Sequence, residues 1–208
     1  MSIRKATDIF SEWALIGKDL GMQDNHSIAV NVMLDKLIGS RSSKFSFIDA
    51  GCGNGWVVRK MGSHSQCSSS FGIDGAEEMI RKAKNIDPIG NYIHSDLLSW
   101  VPQQAFDLVH SMEVFYYFKE PEKLIKHIMD NWLKPNGEMI MGVDYYHENI
   151  KSHSWPTDLN THMKLMSIDD WVELFKDCGF AEVTAFQTNA KDEFPGTLIV
   201  HGFKEKGS

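Results

Sequence analysis

The chain has 208 residues, of which 42% are hydrophobic and 24% are charged, and its formal net charge is −7. This length suits one globular domain with a sizeable core, and the composition is ordinary for a globular protein. The acidic balance and the lack of a long Lys/Arg run argue against a nucleic-acid partner. No apolar run approaches the ~18 residues that a membrane span needs.

The cysteines and histidines exclude several kinds of site. Cys52, Cys67 and Cys178 are odd in number and form no C-x-x-C pair, which argues against a disulfide framework or a structural zinc site. The N-terminus, M-S-I-R-K-A-T-D-I-F, has no apolar signal core, and these features together predict a cytoplasmic protein. The nine histidines show no H-E-x-x-H pattern, so we expect no metal site.

The first forty residues show apolar residues at helical spacing. One stripe contains Ile9, Trp13 and Ile16, and a second contains Ile28 and Val32. Gly39 and the Ser-rich residues after it end the second helix. We therefore predict a helical cap over residues 1–40.

After the cap, short apolar runs alternate with amphipathic segments. The predicted strands are Phe45–Ala50, Ser69–Asp74, Asn91–His94, Phe106–Met112, Glu138–Val143, Ala181–Thr188 and Thr197–Phe203. The predicted helices are Trp56–Met61, Ala76–Asn85, Pro121–Leu133 and Ile168–Cys178. This alternation predicts an α/β fold in which a doubly wound, seven-stranded and mostly parallel sheet carries helices on both faces. The connection between the last two strands is too short for a crossover helix, so that pair should be antiparallel.

The longest stretch without a predicted element runs from residue 144 to residue 166. A loop of that length is usually functional, and we expect it on the substrate side of the sheet. The sequence shows no internal repeat, low-complexity segment or linker. We therefore expect residues 1–208 to form a single domain.

The loop F-I-D-A-G-C-G-N-G-W after the first strand carries three glycines at alternate positions. Loops at the carboxyl ends of strands in a doubly wound sheet face the ligand, and a helix N-terminus follows here. A dinucleotide site has G-x-G-x-x-G spacing, whereas this loop reads G-x-G-x-G with Asp49 two residues before the first glycine. A carboxylate repels a pyrophosphate but attracts an ammonium group, which favours a ligand that carries an amine.

Two further acids follow at strand ends. Asp74 ends the second strand, 25 residues after Asp49, where an acid can accept both ribose hydroxyls. Asp96 follows the third strand, and its carboxylate and the Leu97 amide are suited to an adenine edge. The three acids therefore fit a ligand with an amine, a ribose and an adenine.

The ordered motifs D-A-G-C-G-N-G, G-I-D, S-D-L and F-D-L-V-H-S-M-E-V resemble the class I S-adenosylmethionine-dependent methyltransferases, over roughly Phe45 to Phe203. The resemblance implies a Rossmann-like fold, S-adenosyl-L-methionine as cofactor and methyl transfer as the reaction. It also implies that the residues after the fourth strand border the methyl group. The cofactor-binding residues that it implies are Asp49, Gly51, Cys52, Gly53, Gly55, Asp74, Gly75, Asp96, Leu97, Ser111 and Met112.

The acceptor side is predicted from aromatic and titratable residues. A base is needed only if the acceptor must lose a proton, and we consider His147 first, Glu113 second and His26 third. Aromatic faces suit a cationic or flat substrate, and the predicted substrate-binding residues are Trp13, Tyr116, Tyr145 and Trp155. The fourth strand is followed by S-M-E-V-F-Y-Y and not by the N-P-P-Y-like turn of nucleic-acid amino methyltransferases.

The sequence therefore predicts methyl transfer from S-adenosylmethionine to a small-molecule acceptor, by a monomer or homodimer that binds neither nucleic acid nor membrane. Three alternatives stay open. One is a protein side-chain methyltransferase, another is a cofactor-binding module without turnover, and the third is a nucleotide-dependent dehydrogenase, which Asp49 and the glycine spacing disfavour.

Overall fold

The computed structural model describes residues 2–39 and 41–207. The outer ends of the predicted cap and domain, Met1, Ser40 and Ser208, lie outside the described residues. Seven strands form the sheet: β1 Phe45–Ala50, β2 Cys67–Asp74, β3 Asn91–His94, β4 Phe106–Met112, β5 Leu133–Val143, β6 Ala181–Thr188 and β7 Thr197–Phe203. The helices are α1 Ala6–Ile16, α2 Asp19–Ile38, α3 Trp56–Gly62, α4 Glu77–Ile86, α5 Pro121–Asn131, α6 Trp155–Asp158 and α7 Ile168–Asp177.

The strands are ordered β3-β2-β1-β4-β5-β7-β6. The first five in this order are parallel to one another, whereas β7 runs antiparallel to both β5 and β6. The predicted α/β fold, its seven strands and the antiparallel C-terminal strand are therefore confirmed. The strand order reverses between β1 and β4, and the carboxyl ends at such a switch point form the ligand crevice of doubly wound sheets.

Apolar cores cover both faces of the sheet. One face carries Ile125, Ile128, Trp132, Trp171 and Phe175 from α5, α7 and the segment after α5. On the other face the C-terminal half of α2 packs on β1, β4 and β5 through Val30, Met33, Leu34 and Leu37, all 0–1% exposed. The N-terminal half of α2 extends past this core and reaches the ligand crevice. The predicted cap helix is thus anchored by the sheet and covers the crevice with its other half.

Most predicted boundaries are confirmed to within two residues, and β5 is the exception. It begins at Leu133 and not at Glu138, because Leu133 pairs with Phe106 and the Trp132 carbonyl accepts from the Phe106 amide at 2.6 Å. The letters P-N-G indicate a turn, and Asn136 does adopt a φ of 61°. The strand accommodates these turn residues. Because they are typical of a turn, the sequence pattern did not predict the first part of β5.

The stretch predicted as a loop, residues 144–166, contains a 3₁₀ turn at Ile150–Ser152 and the short helix α6. It is fastened to the N-terminal segment, since the Arg4 amide donates to the Asn160 carbonyl at 2.8 Å and the Thr161 hydroxyl donates to the Arg4 carbonyl at 2.9 Å. This connection brings the N-terminus and the loop to the rim of the crevice. Within the described residues, no helix has the length and apolarity that crossing a bilayer requires.

Candidate active site

A cavity of about 910 Å³ opens at the carboxyl ends of β1 to β4. This volume lies in the range of small-molecule and cofactor sites. Its floor is the loop between β1 and α3, and its walls come from α2, the ends of β2 and β3 and the segment after β4. The N-terminal residues 3–7, Thr161 and His162 complete the rim.

The glycine loop forms the floor with left-handed backbone. Gly51, Gly53 and Gly55 have φ values of 79°, 51° and 78°, which side chains other than glycine adopt at a cost. A Cβ at Gly51 would lie 2.2 Å from a methyl carbon of Val114, and one at Gly55 would lie 2.4 Å from the Tyr92 ring. A Cβ at Gly53, which lines the cavity, would lie 3.9 Å from the Met79 sulfur, an ordinary van der Waals distance. Gly51 and Gly53 thus line the cavity, whereas Gly55 serves the packing behind it.

Asp74 fixes this loop from the end of β2. One carboxylate oxygen accepts from the Gly53 amide at 2.8 Å and the other accepts from the Ala76 amide at 2.7 Å. Burial raises the pKa of Asp74 although these two hydrogen bonds oppose the rise. The carboxylate lines the cavity, and its remaining lone pairs suit donors such as ribose hydroxyls.

Asp49 is held by a partner that the sequence analysis missed. Its carboxylate lies 2.7 Å from Nδ1 of His110, which faces it across β1 and β4, and both side chains are almost fully buried. Nε2 of His110 is buried, and no residue in the described part of the chain makes a hydrogen bond to it. The sequence feature that could have indicated this pairing is a histidine within the apolar strand F-D-L-V-H-S-M. His110 orients the acid that the sequence predicts to contact the ligand amine.

A second cluster lies where β4 and β5 end and α2 crosses them. Glu113 follows β4 with a φ of 60°. One of its oxygens accepts from the Tyr116 hydroxyl at 2.8 Å, and the other accepts from the backbone amide of Asp144. His26 of α2 lies 3.6 Å from the Asp144 carboxylate. We call His26, Glu113 and Asp144 the acceptor cluster.

The acceptor cluster has shifted protonation equilibria. Burial, followed by the charge of Asp144, raises the pKa of Glu113 to about 8, although His26 and two hydrogen bonds oppose the rise. Burial alone would lower the pKa of His26, but contacts with Asp144 and the charge of Glu113 raise it overall. One carboxylate oxygen of Asp144 is inaccessible to solvent, and no described residue makes a hydrogen bond to it. A group that titrates near neutral pH beside a cavity is suited to proton transfer.

The other predicted cofactor residues are mostly at the cavity. Cys52, Gly75, Asp96, Leu97 and Met112 line it, whereas the Ser111 hydroxyl is buried and donates to the Ala50 carbonyl at 2.7 Å. Burial raises the pKa of Cys52 well above its ordinary value, which keeps the thiol neutral and makes it a poor nucleophile.

The predicted acceptor residues are distributed differently. Glu113 and His26 line the cavity, whereas His147 is exposed and lies outside its lining, so its position gives no support to a role as base. Trp13, Tyr116, Tyr145 and Trp155 do not line it either. They pack in a chain of ring contacts around it, and Tyr116 is 1% exposed. The aromatic side chains that line the cavity are Phe10, Trp56, Tyr117 and Phe118.

One face of α2 adds residues that the sequence analysis did not assign to the site. Asp19, Met22, Gln23 and His26 follow helical spacing and line the cavity. Asp19 is buried and accepts from the Asn54 side chain at 2.9 Å and from Lys82 at 2.7 Å. This ties the cap helix to the glycine loop. The polar residues in the first half of α2 could have indicated that this face of the helix is directed at a ligand.

The residues present fit S-adenosylmethionine on two observations. Gly51 and Gly53 have positive φ values and line the floor of the cavity with bare backbone. Asp49 and Asp74 supply separate carboxylates for an amine and for ribose hydroxyls. The acidic lining also suits the positive charge of a sulfonium.

Relatives of known activity share parts of this architecture. A malonyl-[acyl-carrier protein] O-methyltransferase of Ilyobacter polytropus is 28% identical over 74% of this chain and 63% of its own length. A tRNA U34 carboxymethyltransferase of Histophilus somni is 29% identical over 65% of this chain and 45% of its own length. The chain thus spans about half to two thirds of the length of these two relatives.

A solved structure extends the likeness to almost the whole chain. The methyltransferase from Haloferax volcanii, solved in complex with the Trm112 methyltransferase activator, is 26% identical with a TM-score of 0.84. The alignment covers 98% of this chain and 100% of that one.

A family described as a methyltransferase domain matches residues 25–185, which is most of the chain. This range contains the glycine loop, Asp74 and the acceptor cluster. The chain therefore belongs to this methyltransferase-domain family, and its resemblance to the class I S-adenosylmethionine-dependent methyltransferases is confirmed.

Proposed function

We propose that the protein transfers the methyl group of S-adenosylmethionine to a small-molecule acceptor that enters beside Glu113. The observation that supports this proposal best is a single cavity lined both by the carboxylate-flanked glycine loop and by two members of the acceptor cluster, His26 and Glu113. The cavity is concave and largely apolar with a few convergent polar groups, as small-molecule sites usually are.

The cofactor supplies an activated methyl group when it is bound, so the chain's own residues need mainly to position two ligands and move a proton. Asp49, oriented by His110, attracts an ammonium group, and Asp74 accepts hydrogen bonds from hydroxyls. Phe10, Tyr117 and the half of α2 above them exclude water. Aligning two reactants in this way contributes on the order of 7–11 kcal/mol to the lowering of a barrier. Glu113 and His26 can hold the proton that an acceptor loses.

Calorimetry with S-adenosylhomocysteine and with NAD tests the cofactor half of the proposal. We expect binding of S-adenosylhomocysteine alone, weakened at least tenfold in Asp74→Asn, which corresponds to about 1.4 kcal/mol. Asp107→Asn is the matched control, since Asp107 contacts Ser46 and Lys134 away from the cavity. Tight binding of NAD without S-adenosylhomocysteine would overturn the assignment.

Labelled methyl transfer into three kinds of extract tests the acceptor half. We expect label in small metabolites, and label in protein would favour a protein side-chain methyltransferase. Label in tRNA would favour an enzyme that acts on tRNA, as the name of the Histophilus somni relative states for that protein. The net charge of −7 disfavours an RNA substrate. Cofactor binding without transfer into any extract would favour a binding module.

We also propose that the chain binds an activator of the Trm112 kind, as the Haloferax volcanii methyltransferase does. The end-to-end match between the two chains supports this. The edge strand β3 has only four residues, and beside it Ile86 and Ile89 are 49% and 94% exposed, where an open edge invites a partner. Co-expression should yield a complex that Ile89→Glu weakens. Separate elution of the two wild-type proteins would contradict the proposal.

A further inference from the structure

The acceptor cluster lacks a compensating positive charge. It contains two carboxylates and one imidazole, and within the part of the chain that the structure describes no lysine or arginine forms an ion pair with Glu113 or Asp144. With His26 protonated, the charges balance while Glu113 keeps its proton, and ionisation of Glu113 then leaves one negative charge without a partner in a largely buried place. Such a charge is costly unless a cation is paired with it.

The geometry allows one small cation to contact all three groups. One ligand atom from each of His26, Glu113 and Asp144 lies within 4.8 Å of the others. One Asp144 oxygen is shielded from solvent, and none of the described residues makes a hydrogen bond to it. His26 and Glu113 both line the cavity, so a ligand in the cavity can reach the cluster directly.

Aromatic rings stand beside the same cluster. Tyr117 lines the cavity, its hydroxyl lies 3.4 Å from the hydroxyl that donates to Glu113, and its ring packs edge-on against Phe10 at 5.4 Å between centroids. Carboxylates together with aromatic faces are suited to an ammonium group, with about 0.5–2 kcal/mol from each favourable ring. An anionic acceptor would instead add a third negative charge.

We propose that the methyl acceptor is an amine, whose ammonium form binds against Glu113 at the cavity wall, with the charge of Asp144 behind it, and gives up one proton to the acceptor cluster. This inference rests on the proposed function and names the acceptor class for it. The ammonium supplies the cation that the cluster lacks. Once the proton has moved to Glu113 or His26, the nitrogen has a free lone pair.

The step balances without any further reactant. The nitrogen lone pair forms the bond to the methyl carbon while the carbon–sulfur bond breaks, and the electron pair of that bond stays on sulfur. The products are a methylated ammonium and a neutral thioether. The proton held by the acceptor cluster passes to solvent, so one proton is released for each methyl group transferred.

The test follows labelled methyl groups into metabolites that have been separated by ion exchange into cationic, neutral and anionic fractions. We expect label in the cationic fraction, in a product that survives mild alkali, with no loss of activity in EDTA. Label in a neutral or anionic product, a base-labile methyl ester, a requirement for a divalent ion, or no transfer into any fraction would overturn the inference.

Variants separate this inference from the proposed function. Asp144→Asn should raise KM for the labelled amine by roughly 10- to 100-fold while the Kd for S-adenosylhomocysteine stays unchanged. Glu138→Gln is the matched carboxylate control, because Glu138 belongs neither to the cavity lining nor to the acceptor cluster. Unchanged KM in Asp144→Asn overturns the amine inference, whereas loss of S-adenosylhomocysteine binding by the wild-type protein overturns the proposed function itself.

Discussion

Two histidine–carboxylate clusters lie along β5. The acceptor cluster follows the carboxyl end, where Asp144 meets Glu113 and His26. The second, which we call the Glu138 cluster, lies at the middle of the strand and joins Arg41 and His201 to Glu138, with 2.9 Å between Nε2 of His201 and the Glu138 carboxylate. Glu138 and Asp144 are six residues apart, roughly 20 Å along an extended strand.

The two clusters differ in charge balance and in access. Glu138 is paired with a permanent cation, Arg41, and none of the three residues of the Glu138 cluster lines the cavity. Glu113 lines the cavity, and no lysine or arginine among residues 2–39 and 41–207 forms an ion pair with it. Burial raises the pKa of Glu113 to about 8, whereas burial and the charges of Lys36 and Arg41 lower the pKa of His201 to about 4. A compensated cluster stabilises a fold, and an uncompensated one beside a cavity can serve a ligand.

The largest expected difference is in activity. Glu113→Gln keeps the shape of the side chain and removes the proton acceptor, so we expect methyl transfer to fall roughly 10²- to 10⁴-fold. Glu138→Gln, the equivalent change in the Glu138 cluster, should leave the rate of methyl transfer within about threefold. Single-turnover transfer of labelled methyl into the active metabolite fraction measures the rate in both variants. Equal losses in the two variants would remove the functional distinction between the clusters.

The second difference is in the pH dependence of stability. Glu113 binds its proton more tightly in the folded chain than in the unfolded chain, since its pKa rises from 4.5 to about 8. The contribution of that proton is complete below pH 4.5 and is lost as the pH rises to about 8. The free energy of unfolding should therefore fall in this window by up to about 5 kcal/mol from this group, with Asp144, His26 and Tyr116 as the facing groups.

Glu113→Gln should remove this slope, because a glutamine stays neutral throughout. Urea denaturation of both proteins from pH 5 to pH 9 gives the difference in unfolding free energy, which should move in favour of the variant as the pH rises. A parallel pair of pH profiles would show that Glu113 is ionised at its ordinary pKa in the folded protein.

The fold was predictable because its signals are local. Alternating apolar runs predicted every strand, and the glycine spacing after β1 predicted the loop that lines the cavity. The start of β5 was missed because the P-N-G turn residues lie within the strand, where pairing between Leu133 and Phe106 outweighs local preference.

The acceptor cluster was only partly predictable. Glu113 and His26 were among the candidate bases, but their meeting with Asp144 depends on α2 crossing the ends of two strands, and no local pattern carries that information. His147 was preferred for its place in an aromatic loop, and only the folded chain shows that it is exposed. The pairing of His110 with Asp49 likewise follows from strand register.

The smallest expected effect concerns His201. Its pKa falls from 6.5 to about 4 on folding, so its contribution to stability is complete above pH 6.5 and is lost as the pH falls through 4. Replacing it in His201→Gln keeps a donor for Glu138 and removes the titration, so the variant should lose less unfolding free energy between pH 6.5 and 4, by up to about 3 kcal/mol. Methyl transfer at neutral pH should stay unchanged, because neither cavity nor acceptor cluster is touched. The stability of the wild-type protein should rise with pH through the titration of His201 and fall with pH through that of Glu113. The two variants should therefore change the pH dependence of the unfolding free energy in opposite directions. Changes in the same direction would mean that the two clusters do not differ as their charges indicate.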